Sequence, residues 1–319
     1  MESRRTYRLY GVVIVVPNGM LLRANEVDAE PELAIDVVYE VPPAPWEMAE
    51  ELYATVPRVG FEASDFLFSR LPDRDVITIA GTGEVHLLDE RMIFYLQEPD
   101  HAFLVEIVLL GLAMAFWLER RGSSTLHGSA VSLGGESVAF IATGGTGKSS
   151  LAAYLTANGD PLITEDLLAL SWRNGVSFAE PAVAQLRLWP EVAAQYSENW
   201  EALPQPHPRF SKRKLLVGED GIGSLATKPV PLRRIYVLQR TERPDYEPTV
   251  IPLSAGDGLA QLLTHSYLPE IAEKFGWQAR RLGQLAQLLG VMPVQLLRYR
   301  SGAEQLPDVR AAIVEDLNR

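Results

Sequence analysis

The stretch Ser137-Val138-Ala139-Phe140-Ile141-Ala142-Thr143-Gly144-Gly145-Thr146-Gly147-Lys148-Ser149-Ser150 decides how this chain folds. Residues 137–142 read as a strand, 143–147 as a glycine loop, and 148–157 as a helix stopped by Asn158-Gly159. Strand, glycine loop and helix in that order form the setting of a P-loop, G-x-x-x-x-G-K-[S/T]. Ala142 stands where that pattern has its first glycine; it is still small, so the tight exit from the strand is kept. Glycines let the backbone turn its N–H groups inward around phosphate oxygens, and the helix N-terminus adds partial positive charge. Thr143, Gly144, Gly145, Thr146, Gly147, Lys148, Ser149 and Ser150 are therefore the candidate nucleotide cradle. Lys148 would reach the outer phosphates, and Ser149 would offer its hydroxyl to Mg²⁺. The alternative is a glycine turn that only precedes a helix; the flanking strand and helix favour phosphate binding.

Working outward, Glu165 and Asp166 lie seventeen and eighteen residues after Lys148. One helix, one turn and the short strand 161–164 fill that gap. The pair should sit at the carboxyl end of a strand beside the glycine loop, where open α/β sheets place ligand chemistry. One carboxylate can hold Mg²⁺ and the other can take a proton from an attacking hydroxyl; spacing alone assigns neither role. Upstream, 129–133 and 137–142 form a hairpin about Gly134-Gly135, and His127-Gly128 opens it. Downstream, Arg187 between Leu186 and Leu188 can reach a phosphate, or be a solvated arginine between core leucines. A basic cluster, Arg209, Lys212, Arg213 and Lys214, can stabilise charge on a transferred phosphoryl group or line a solvated loop. Arg233-Arg234 reads as surface, and Trp117, Trp172 and Trp189 read as packing residues.

The 319 residues suggest two domains by length. Residues 1–122 read as a β-rich module, with strands at 10–16, 34–41, 75–80, 84–88 and 91–96, closing on a long helix over 103–120. That helix is apolar but broken by Glu106, which predicts a buried core helix rather than a membrane span. Residues 123–245 form the nucleotide core, with mixed helix and loop over 190–232 and a strand at 234–238. Leucines at helical spacing after Gly256 predict a helical tail over 246–319. Lys and Arg number 29 against 41 Asp and Glu, a net charge of −12. A diffuse acidic excess speaks against nucleic-acid binding as the main function. With no cysteine, disulfides and thiolate metal sites are excluded. A soluble, cytoplasmic protein is expected.

His127-Gly128, the loop 142–149 and Thr164-Glu165-Asp166 together resemble the HPr kinase/phosphorylase family, in the same order and at similar spacing. Phosphoenolpyruvate carboxykinases share the short distance from loop to acid and are the neighbouring likeness. The resemblance spans about 127–175 and is strongest to the HPr-kinase-related proteins of bacterial peptide-modification gene sets, such as those for lasso peptides. It implies an α/β P-loop kinase core with a mixed sheet, flanked by the β-rich module and the helical tail. It implies ATP and Mg²⁺ as cofactors and a serine hydroxyl on a peptide or small protein as acceptor. It also implies a homo-oligomer and a place for His127 beside the transferred phosphate. Glu165 stands where the family usually has Asp, and the glycine-rich segment tied to the family's phosphorylase reaction is not evident. Two other classes stay open: a kinase of a small hydroxy compound such as free serine, and a nucleotide-dependent regulator with little transferase activity.

Overall fold

A computed structural model describes residues 4–42, 49–55, 65–208, 210–243 and 245–319. Among them, the first hundred residues build a nine-stranded sheet. Strands Thr6–Leu9 and Val12–Val15 form a tight hairpin, and Val12–Val15 pairs in parallel with Leu33–Val38. Leu33–Val38 pairs in parallel with Arg91–Leu96, which starts an antiparallel meander back through Gly83–Leu87, Asp75–Ile79, Phe66–Arg70 and Glu50–Ala54. The strand expected over 10–16 starts two residues later, at Val12, because Tyr10 and Gly11 both take positive φ and form the turn that follows Thr6–Leu9. That turn sends Tyr10 into the interior, where its hydroxyl donates to Leu110 O at 2.6 Å.

The apolar run expected as one helix is continuous over Pro99–Arg120, with a π-helical turn at Leu109–Ala113. Its length and composition would let it cross a membrane, but 61% of its most apolar window is buried inside the fold. Val105, Val108, Leu109, Ala113, Met114 and Phe116 pack against Leu9, Ile14, Phe68, Ile77 and Phe94 of the sheet. The same cluster takes in Leu167, Ala169 and Val183 from the middle of the chain, and Ile271, Phe275 and Trp277 from the tail. The helix is thus the shared wall between the first sheet and everything after it.

The second sheet carries the glycine loop. Strand Thr125–Leu133 pairs antiparallel with Glu136–Ile141, and Glu136–Ile141 runs parallel to the long strand Val230–Thr241. Thr125–Leu133 also borders both Leu162–Thr164 and Leu167–Arg173, so residues 165 and 166 form the kink between those two partners. The kink faces His127-Gly128: Gly128 N donates to Asp166 O at 3.1 Å. Helix Lys148–Ala157 buries Leu151, Ala152 and Leu155 against Val138, Phe140, Leu186 and Leu188.

Two regions differ from the sequence reading. The tail is not wholly helical. Val294–Arg300 is an interior strand, parallel to Val230–Thr241 and antiparallel to Thr249–Pro252. Its alternating burial after Pro293 is a strand signal that the neighbouring leucine spacing obscured. In the stretch 190–232, Arg213–Leu216 is a strand that pairs with Gln185–Leu188 and places Arg187 opposite Lys214. Arg234, expected on the surface, is buried because Asp316 of the last helix meets its Nε at 3.0 Å and also accepts from Tyr236.

Candidate active site

The loop 142–147 leaves its strand with Gly145 at φ +80° and Gly147 at φ +108°, conformations that glycine adopts without a Cβ penalty. Gly147 is needed for space as well: a Cβ there would collide with the Arg240 guanidinium. Lys148 opens the helix, and its ammonium donates to Ala142 O at 2.6 Å and Thr143 O at 3.3 Å. Burial pushes that ammonium below the ordinary lysine value, with Asp166 and Glu165 pulling it back. The loop and helix floor a cleft of about 320 Å³ that also takes in His127, Glu165, Asp166, Arg187, Trp189, Lys212, Arg240 and Tyr299.

The structure brings the expected residues together in that cleft. Ser149 Oγ donates to Glu165 Oε1 at 2.7 Å. Glu165 Oε2 accepts from Arg187 Nε at 3.1 Å, and Arg187 Nη2 lies 2.9 Å from Asp166 Oδ2. Arg187 thus bridges the two carboxylates and lines the same cleft as the glycine loop. His127 Nδ1 stands 3.4 Å from Asp166 Oδ1. Thr143, Gly144, Thr146 and Ser150 occupy the loop and first helical turn as expected.

Electrostatics follow from this packing. Burial works against the Asp166 carboxylate, but Arg187 and then His127 outweigh it and hold the carboxyl below its usual range. Burial would loosen the Arg187 proton, yet Glu165 and Asp166 reverse that and raise its pKa well above the ordinary value. Burial lowers His127 despite the nearby Asp166 carboxylate, so the neutral imidazole is favoured. Asp166 holds φ +75°, an uncommon conformation for a residue with a side chain, and such positions cluster at functional sites.

A Ser149 hydroxyl against a Glu165 carboxylate is a pair of hard oxygen donors, which suits Mg²⁺ beside a nucleotide. Among the described residues, no three His, Cys, Asp or Glu stand close enough to hold a metal by themselves. A divalent ion here would need phosphate oxygens to complete its shell.

No protein-family model matches the chain, and no curated protein matches it. Among solved structures the chain is similar to the Hpr(Ser) kinase/phosphatase from Coxiella burnetii. The identity is 10%, the match covers 60% of this chain and 89% of that chain, and the TM-score is 0.32. That likeness is distant, and the geometry of the cleft carries the functional reading by itself.

Several cleft residues escaped the sequence reading. Arg240 Nε donates to Thr146 O at 2.7 Å and Nη1 to Ser301 Oγ at 3.1 Å, bracing the glycine loop from the neighbouring strand. Its signal was topological: Ile141 and Val237 are register partners, so Arg240 projects past the end of the loop's own strand. Tyr267 Oη donates to Asp166 Oδ2 at 3.3 Å, and a Cβ at Gly111 would lie 3.0 Å from that hydroxyl. The π-helical turn of the long helix thus lies directly against the acidic pair. Trp189, expected as packing, is 42% exposed at the cleft, with Lys212 Nζ 5.4 Å from its ring. Of the basic cluster, Lys212 lines the cleft and Lys214 pairs with Glu106, while Arg209 lies outside the described residues.

Proposed function

We propose that this chain is an ATP-dependent kinase that transfers the γ-phosphoryl group to a serine hydroxyl of a peptide or small protein. One observation carries the reading: the Ser149 hydroxyl that follows the P-loop lysine meets the Glu165 carboxylate at 2.7 Å, with Asp166 next in the chain. That arrangement supplies a phosphate cradle, a metal-competent pair and a second carboxylate, held by Arg187, within one cleft.

The loop N–H groups and Lys148 bind and orient the β- and γ-phosphates. Ser149 and Glu165 would hold Mg²⁺, which when bound neutralises phosphate charge. Asp166 is the proton acceptor. The acceptor O–H gives its proton to the Asp166 carboxylate as the new O–Pγ bond forms and the bond from Pγ to the β-phosphate oxygen breaks. ADP leaves with that electron pair. Neutral His127, 3.4 Å from Asp166, orients the base, and Arg187 can shift from the carboxylates to the phosphoryl oxygens as charge develops there.

The test is an acceptor screen with γ-labelled ATP and Mg²⁺, covering serine-containing peptides, HPr-like proteins and free serine, with Asp166→Asn alongside. Label on a serine hydroxyl in the wild type and not in the variant supports the reading. Nucleotide binding with no label on any acceptor would leave a regulator in its place.

A further inference from the structure

A second, smaller cavity of about 110 Å³ lies against Glu165 and Arg187. Among the described residues it shares only two lining side chains with the nucleotide cleft, Glu165 and Arg187. One wall is a single face of the long helix, with Phe103, Glu106, Ile107 and Leu110 at positions i, i+3, i+4 and i+7. The opposite wall is Gln185 and Arg187, alternate residues of strand Gln185–Leu188. Lys214 closes the rim from the paired strand. Apart from Glu165, Arg187 and Lys214, the lining residues belong to none of the sequence motifs, and the phosphate-binding chemistry leaves this cavity unused.

Its chemistry is amphipathic and charged in opposite senses. Glu106 Oε1 accepts from Lys214 Nζ at 2.6 Å and from Gln185 Nε2 at 3.0 Å. The Glu106 and Lys214 side chains are only 32% and 19% exposed, so a ligand would meet both charges partly desolvated. Drug-sized ligands occupy sites of about 300–1,000 Å³, whereas one water needs roughly 10–15 Å³. A volume of 110 Å³ admits one small residue and little more.

We propose that this cavity is the acceptor subsite, and that it takes a single hydroxyl-bearing amino-acid residue. The proposal rests on the kinase reading above. Glu106 would face the residue's nitrogen and Lys214 its carbonyl or carboxylate oxygen, with the hydroxyl directed at the partition formed by Glu165 and Arg187. A hydroxyl that replaces Arg187 Nη2 at Asp166 Oδ2 stands where its proton passes to that carboxylate. Arg187 is then released toward the phosphoryl oxygens. The same backbone chemistry is offered by free serine and by a serine within a peptide.

The experiment uses the full chain with Mg²⁺ and a non-hydrolysable ATP analogue. Calorimetry measures binding of two probes, L-serine and N-acetyl-serine amide, to wild type, Glu106→Gln, Lys214→Met and Ile107→Trp. Melting curves confirm that each variant folds. The proposal predicts that wild type binds at least one probe, that Lys214→Met and Glu106→Gln weaken it about tenfold, and that Ile107→Trp abolishes it. Affinity for the analogue stays unchanged in all three. Preference for L-serine assigns the site to a free amino acid, and preference for the capped probe assigns it to a peptide residue. Binding of neither probe, or wild-type affinity in Lys214→Met and Ile107→Trp, overturns the proposal even if label reaches some other acceptor. Probe binding that these variants weaken or abolish as stated, in a wild type that transfers no label, keeps a binding cavity for a serine residue and removes its role as a phosphate acceptor site together with the kinase reading.

Discussion

Asp166 is where one residue's backbone and side chain are both committed. Its φ of +75° is tolerated by Asn as well as Asp, so Asp166→Asn keeps the fold and removes only the charge. We expect it to bind ATP normally and to lose about 10²–10⁴-fold in the rate of transfer, by single-turnover kinetics. Arg187 is the opposite case. It separates two carboxylates that would otherwise repel, so Arg187→Met should cost on the order of 3 kcal/mol in unfolding free energy. A variant with unchanged denaturation midpoint would contradict that bridging role. His127 gives a pH prediction. Its folded pKa lies below the ordinary 6.5, so the unfolded chain binds more protons in the window beneath that value. Its contribution is full above 6.5 and is lost as pH falls through the window. His127→Gln should therefore flatten the decline in stability as pH falls below 6.5, measured by urea titration.

At the scale of elements, the informative contact is strand Thr125–Leu133 against the kink at residues 165 and 166. Gly128 sets the other side of that strand, where it meets its hairpin partner: a Cβ there would lie 2.8 Å from Phe140 O and 3.0 Å from Ile141 Cγ2. Gly128→Ala should push the strand off its neighbour, cost about 1–3 kcal/mol and slow transfer by misplacing His127 against Asp166. Wild-type rate in a folded Gly128→Ala would refute it. This element was largely legible in the sequence. The hairpin, the loop and helix Lys148–Ala157 all announce themselves locally, through glycine turns and a helix stop at Asn158-Gly159. Arg240 and Tyr267 were not legible, because parallel pairing with Val230–Thr241 and the approach of the tail to Asp166 are long-range facts. Strand Val294–Arg300 was hidden for a related reason: its alternation is short and sits between two leucine-rich helices.

Across the whole molecule, the long helix Pro99–Arg120 welds the parts. Phe116 stacks edge-on to Phe275 and Trp277 of the tail, and Glu119 makes a buried pair with Arg281 at 3.1 Å while accepting from Thr125 N. Arg281 Nη2 also donates to Tyr267 O at 2.9 Å, which ties this pair to the residue that meets Asp166. The first sheet, the nucleotide core and the tail thus share one buried cluster. The chain should unfold in one transition, with tryptophan fluorescence and far-ultraviolet dichroism coincident in urea. Two separated transitions would show that the modules are independent. The sequence showed where the helix lies and that it is buried; it could not show that its π-helical turn reaches the acidic pair, since that depends on the tail folding back.

The central claim is that Lys148 and the acidic pair move a phosphoryl group from ATP to a hydroxyl. The most direct measurement is transfer of the γ-label from ATP to acceptor by wild type and by Lys148→Ala under identical conditions. The account predicts labelled acceptor and stoichiometric ADP from the wild type, and none above background from the variant. Equal labelling by both would contradict it.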